Sequence, residues 1–203
     1  MTTALLTSTY FGPVQWYQKL NRYATCRIEC HDSYLKQTYR NRCMIATANG
    51  VQALSVPIEK YDGLKCEMKD IRISDHGNWR HLHWNALLSA YGESPFFEFY
   101  ADDLWPFFEK KWDFLLDFNM EITLKMCHLI DIQPHISLTK EYDNAVEDAD
   151  DFREVIRPKH PLADEDFMAK PYYQVYKQKF GFQKNLSILD LLMNEGNESI
   201  YFL

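Results

Sequence analysis

Asn49-Gly50 stands between two short runs of strand-forming residues, Met44–Ala48 and Val51–Val56, and this dipeptide restricts the fold more than any other feature of the chain. A two-residue connection of type I′ needs positive φ at both central positions, which Asn followed by Gly adopts at little cost. The expected pairing sets Ala48 opposite Val51, Thr47 opposite Gln52, Ile45 opposite Leu54 and Cys43 opposite Val56. Because successive side chains alternate faces, Cys43, Ile45, Leu54 and Val56 then share one apolar face. Arg40 and Arg42 are expected on the other, near Ser55 and Pro57.

The flanking sequence places this hairpin in an α/β setting. Ala4–Thr9 is short and apolar, Gly12-Pro13 interrupts it, Val14–Arg22 has helical character, and Thr25–Cys30 alternates like a strand. Lys69–Ser74 alternates in the same way. A helix is expected from Trp79 to Tyr91, opened by Asn78 and stopped by Gly92, with Trp79, Leu82, His83, Ala86, Leu87 and Ala90 inward. Pro106 suits the first turn of a long helix reaching about Leu129. Pro134–Lys140 follows as a strand, and Ser187 with Asp190 opens a last helix in the manner of a capping box, ending at Asn194–Gly196. The predicted architecture is one α/β domain over residues 1–203, a mixed sheet flanked by helices.

The formal net charge is −7, from 22 basic and 29 acidic residues. Six of those carboxylates fall within 141–151, EYDNAVEDADD, and outside that run the chain holds 22 basic against 23 acidic side chains. The acidity therefore belongs to one solvated segment, which with the proline-marked stretch after it forms an expected loop excursion within 141–171. No basic stripe suits nucleic acid or an anionic membrane. Five cysteines without a C-x-x-C argue against a disulfide framework and against a zinc site of usual spacing. His81 and His83, two apart on a helix, do not aim at one ion, so no metal is expected. No leader-like N-terminus and no 18-residue apolar run occurs, and the expected compartment is the cytoplasm. Glycine-rich phosphate loops and G-x-S-x-G are absent, and no cofactor is expected.

The stretch KQTYRNRC, residues 36–43, concentrates the candidate chemistry. Guanidinium groups stay charged and form forked contacts, so Arg40 and Arg42 on one strand face suit a phosphate or carboxylate; they suit ion pairs with the chain's own carboxylates equally well. Gln37 and Asn41 add neutral hydrogen bonds. Cys43 sits beside a cation that would activate a thiol, but the hairpin register sends it across the sheet into the core. His83, half-sheltered by Trp79 and Leu87, is either a general base or a buried neutral imidazole held by hydrogen bonds.

Four stretches together resemble the WbqC-like family, a bacterial group found among surface-polysaccharide and O-antigen biosynthesis genes: TSTYFGPVQWYQKL (7–20), QTYRNRC with the Asn-Gly hairpin (37–50), WRHLHWNALLSAYGESPFFEFY (79–100) and NLSILDLLMNEG (185–196). The form is most similar to that of Bacteroidetes members. Where many members begin with a His-Gln-Pro-Asn-Tyr-Leu-Pro-like stretch this chain has Thr7–Pro13, without the histidine, and the acidic segment stands where others carry a further α/β section. The resemblance implies acyl or aminoacyl transfer to a nucleotide-linked amino sugar, or, if activity has been lost, binding of a glycan precursor or partner enzyme. Transfer requires an anchor for the diphosphate, a base for the amine and a donor for the carbonyl oxyanion. Arg40 and Arg42 are assigned the first task and His83 the second. Gln37, Asn41 or Tyr91 is assigned the third. The expected partner is a nucleotide sugar or other small anionic ligand; the sequence carries nothing that fixes an oligomeric state.

Overall fold

A computed structural model describes residues 2–144 and 146–203. Its centre is a parallel sheet built from β1 (Thr3–Thr7), β2 (Thr25–Glu29), β5 (Ile136–Leu138) and β6 (Asp150–Asp151), in the order β5-β2-β1-β6. Helix α1 (Val14–Arg22) carries the chain from β1 to its neighbour β2, in the span its sequence predicts. Ala4, Leu5 and Leu6 of β1 are fully buried, as a central parallel strand requires. One finding departs from the reading of 141–151 as loop alone: Asp150 and Asp151 extend the sheet by pairing with Ala4 and Leu5.

The hairpin, β3 (Arg42–Thr47) and β4 (Gly50–Ser55), forms a separate antiparallel ribbon, so the parallel and antiparallel pairings of this α/β fold lie in different sheets. Its register differs from expectation by two residues, Cys43 facing Leu54 and Thr47 facing Gly50. Gly50 alone takes positive φ (105°), so the connection is not a I′ turn over Asn49-Gly50. The turn advances to Ala48-Asn49, where the Thr47 hydroxyl accepts from the Asn49 amide (3.2 Å) and donates to the Gly50 carbonyl (2.8 Å). A slip of two preserves parity, and Cys43, Ile45, Leu54 and Val56 are all buried together as the alternation demands.

Helix α2 (Trp79–Tyr91) has the predicted bounds, although Asn78 makes no side-chain cap and Leu82 turns outward to 59% exposure. Helix α3 (Phe97–Leu104) follows. The long helix expected after Pro106 is instead two, α4 (Pro106–Glu109) and α5 (Leu115–Leu129). The reason lies between them: Ile73 N–H donates to the Asp113 carbonyl and Leu115 N–H to the Ile71 carbonyl, which holds 113–115 extended beside 71–73. The expected strand Lys69–Ser74 is not one: Lys69 and Asp70 end a 3-10 turn (Met68–Asp70) and Arg72 and Ile73 make only such isolated bridges, yet Ile71 and Ile73 are buried as the alternation implies. After α6 (Lys177–Phe180), helix α7 (Ile188–Glu195) begins with Ser187 accepting from the Leu189 amide, and Gly196 ends it at φ 56°. Large aromatic side chains, among them Tyr10, Phe11, Trp16, Tyr17 and Phe118, fill the core between the layers.

Candidate functional site

The residues singled out by sequence do not converge on one cleft. His83 is buried on α2, its Nδ1 2.8 Å from the Tyr10 hydroxyl and its ring edge-on to Trp79 with centroids 5.1 Å apart. Burial pushes its pKa down to about 4, only partly opposed by a hydrogen bond to the Ser55 backbone, so the imidazole is neutral. Tyr91 is buried too; its hydroxyl donates to Asp190 Oδ1 at 3.0 Å. Arg42 Nε donates to Ser55 Oγ (2.9 Å) and Asn41 Nδ2 to the Val56 carbonyl (2.8 Å), both fastening the hairpin. Gln37 accepts from Lys159 Nζ at 2.8 Å. Arg40 does not share a strand face with Arg42: it lies in the turn before β3, buried, and pairs with Asp32 through Nη2. Cys43 is wholly buried, and burial raises its thiol far above the usual range.

A different cleft emerges from the sheet. Because its strands run parallel, they all end at one edge, and open α/β sheets bind ligands outside those carboxyl ends. Here that edge carries His31 and Asp32 after β2 and Arg153 and Glu154 after β6. A cavity of about 400 Å³ opens there, lined by His31, Asp32, Arg40, Lys65, Tyr142 and Glu154 among others. Two cations, two carboxylates and an imidazole therefore meet at one opening.

Next in sequence to the cleft residues, at the ends of β2 and β6, lies a polar network. Glu29, fully buried at the end of β2, accepts from the His31 amide (2.8 Å), the Thr139 hydroxyl (2.9 Å) and Arg153 Nη1 (3.3 Å). Arg153 also forks onto Asp151, Nε to Oδ1 at 3.0 Å and Nη2 to Oδ2 at 2.7 Å. Burial alone would raise the Asp151 carboxyl; the hydrogen bonds from Arg153 outweigh it and hold the group below its ordinary value. Asn119 of α5 fixes the Arg40 backbone by donating to its carbonyl at 2.7 Å.

The pair at the cleft wall is less complete. Asp32 Oδ2 receives Arg40, whereas Asp32 Oδ1 and Arg40 Nε are buried with no hydrogen-bond partner. Burial raises the Asp32 carboxyl, against the pull of Arg40. Buried polar groups are normally satisfied, so this pair is less completely bonded than the Glu29–Arg153 network. Sequence reasoning missed Asp32, His31, Lys65 and Glu154. The available signal was Cys-His-Asp directly after an alternating strand, where polar residues in an α/β unit reach the ligand edge.

No group of three His, Cys, Asp or Glu side chains suited to a metal occurs among the described residues, and no helix among them is long and apolar enough to cross a membrane. The chain matches the model of the WbqC-like protein family over residues 8–159 and 163–202, acidic segment included. It is also similar to a Mycobacterium tuberculosis protein described as uncharacterized protein Rv1507c, 27% identical over 193 residues that cover 84% of this chain and 83% of that protein. No solved structure matches it significantly.

Proposed function

The chain belongs to the WbqC-like protein family, and we propose that it is a cytoplasmic transferase of surface-polysaccharide biosynthesis whose cleft at the carboxyl ends of the parallel strands holds a nucleotide-linked amino sugar. One observation carries this reading: the cleft joins the carboxylates Asp32 and Glu154 to the cations Arg40 and Lys65 at a single opening. A ligand with an ammonium at one end and an acidic group at the other satisfies both sets. His31, 3.1 Å from Glu67 through Nδ1, is the base within that opening. It takes the proton from the sugar ammonium; the freed amine attacks the carbonyl of an activated acyl donor, a thioester or ester; the C–N bond forms as the thiol or alcohol leaves with a proton. Five free cysteines fit a reducing compartment.

The test is calorimetry with nucleotide-diphosphate amino sugars and their matched neutral sugars. The wild type is expected to bind the amino forms, with His31→Gln retaining affinity but losing acyl transfer. Failure of the wild type to bind any amino form overturns the reading.

Binding without turnover is the second reading, and the placement of His83 favours it. That imidazole lies under Trp79 with its pKa near 4, and Tyr91, one of the three oxyanion donors expected with Gln37 and Asn41, is committed to Asp190, so the expected base and that donor stand away from the cleft. Ligand binding with no product from any activated acyl donor selects this alternative.

A further inference from the structure

Beside the cleft, the segments 35–38 and 157–159 enclose a smaller recess of about 240 Å³. Its charged lining is Lys36, Arg157 and Lys159, with Gln37 and Thr38 between them, and no carboxylate among the described residues lines it. In a chain of net charge −7 this is a local inversion of sign. We propose that the recess is a phosphate-binding subsite, taking the phosphate or pyrophosphate of a ligand whose other end occupies the neighbouring cleft.

The arrangement of donors supports an oxyanion there. Lys36 is exposed and makes no ion pair among the described residues, so its ammonium is uncommitted. Lys159 gives one hydrogen bond to the Gln37 amide oxygen (2.8 Å), which positions the ammonium and leaves two of its protons free. Gln37 does this from φ 61°, a left-handed conformation that a residue with a side chain adopts at a cost. Arg157 spends Nη2 on Glu154 and brings its positive charge to the recess lining. Phosphate, with several acceptor oxygens and up to two negative charges, is the group that uses this many uncommitted cationic donors at once.

Geometry also connects the recess to the cleft. Leu35 belongs to both walls, and the Glu154–Arg157 pair links the lining of one to the lining of the other. A ligand bridging the two would place one phosphate of its diphosphate among Lys36, Arg157 and Lys159, the other toward Arg40 and Lys65, and its amine toward Asp32 and Glu154. This adds, in the turn before Arg40 and Arg42 and across from 157–159, an anion anchor besides the arginines that the sequence favoured. The second end of the ligand rests on the reading given above; the anion subsite does not.

The experiment is titration of the full chain with inorganic pyrophosphate, followed by calorimetry, for the wild type and the variants K36Q, K159Q and K177Q. Lys177 lies on α6, outside the recess. Binding is expected to weaken at least about fivefold in K36Q and in K159Q and to stay unchanged in K177Q. No pyrophosphate binding by the wild type, or equal weakening in all three variants, overturns the subsite. The two proposals separate cleanly: pyrophosphate binding that K36Q weakens, with no amino-sugar nucleotide bound by the wild type, keeps the subsite and removes the transferase reading.

Discussion

Asp190 and Asp32 are both buried carboxyls, and their surroundings differ in what they leave undone. Asp190 receives the hydroxyls of Tyr91 (3.0 Å) and Tyr172 (2.7 Å) and the amide of Gln174 (2.8 Å), so both its oxygens are occupied. Asp32 has one oxygen on Arg40 and one on nothing, at the wall of a cavity. Burial raises both carboxyls. Desolvation alone therefore does not distinguish a site from a strut in this molecule. What distinguishes them is position: Asp32 stands at an opening lined by further charged groups, whereas Asp190 is closed inside the core.

The largest effect belongs to the complete set. Asp190→Ala strips the acceptor from three buried donors, and the expected loss is about 4 kcal/mol of stability, read by urea denaturation. A loss under about 1 kcal/mol would mean that water replaces the carboxylate and that the cluster is not sealed.

His83 belongs with Asp190 as a closed-in titratable group, and its effect appears with pH. The unfolded imidazole titrates at 6.5 and the folded one at about 4, so as pH falls the unfolded chain takes up the proton first. Stability contributed by the neutral imidazole is whole above the unfolded value and is lost between about pH 6.5 and 4, by about 3 kcal/mol at the end of that window. Asp190 and Asp32 act in the opposite sense, since their folded carboxyls bind protons first and acid relieves them. Subtracting the stability curve of His83→Gln from that of the wild type isolates the histidine. A flat difference between pH 7 and 4 would place His83 in contact with solvent.

The same contrast explains what was legible in the sequence. Periodicity and turn chemistry report short-range structure, so α1, α2, the hairpin faces and α7 are visible in advance. The hairpin turn is misread by one residue because Thr47 supplies local hydrogen bonds that compete with the I′ geometry. Asp190 is readable as a helix-start residue but its tyrosine and glutamine partners are not, since they come from distant segments. The cleft is harder still. It exists only because β6, two acidic residues in an acidic run, pairs with β1 and brings Arg153 and Glu154 beside Asp32. Nothing in the local pattern of 150–154 distinguishes a strand from solvated loop, and Arg40 looks like a strand-face cation until its turn is seen to fold it onto Asp32.

Smaller effects test the incomplete set. Asp32→Asn weakens the contact with Arg40 while keeping the shape, and the cost is expected at about 1–2 kcal/mol, below that of Asp190→Ala because the amide oxygen still accepts from Arg40 whereas the alanine leaves three buried donors without an acceptor. Denaturation of the two variants side by side checks the order; equal losses would erase the distinction between the two aspartates.

Lys65→Ala gives the least change in stability and the sharpest discrimination. The side chain is exposed on the loop facing His31 and Asp32 across the cleft lining, and it makes no ion pair among the described residues, so folding has no use for its charge. Its removal is expected to leave stability within about 0.5 kcal/mol of the wild type. Affinity for an amino-sugar nucleotide, measured on the same sample by calorimetry, is expected to fall about tenfold, because a charge-assisted contact to the acidic end of the ligand disappears. Asp190→Ala should show the reverse, a large loss of stability with unchanged affinity in the molecules that remain folded. If Lys65→Ala binds as the wild type does, the cleft at the carboxyl ends is not where the ligand's charge is met, and the unfilled oxygen of Asp32 is a feature of packing like the filled ones of Asp190.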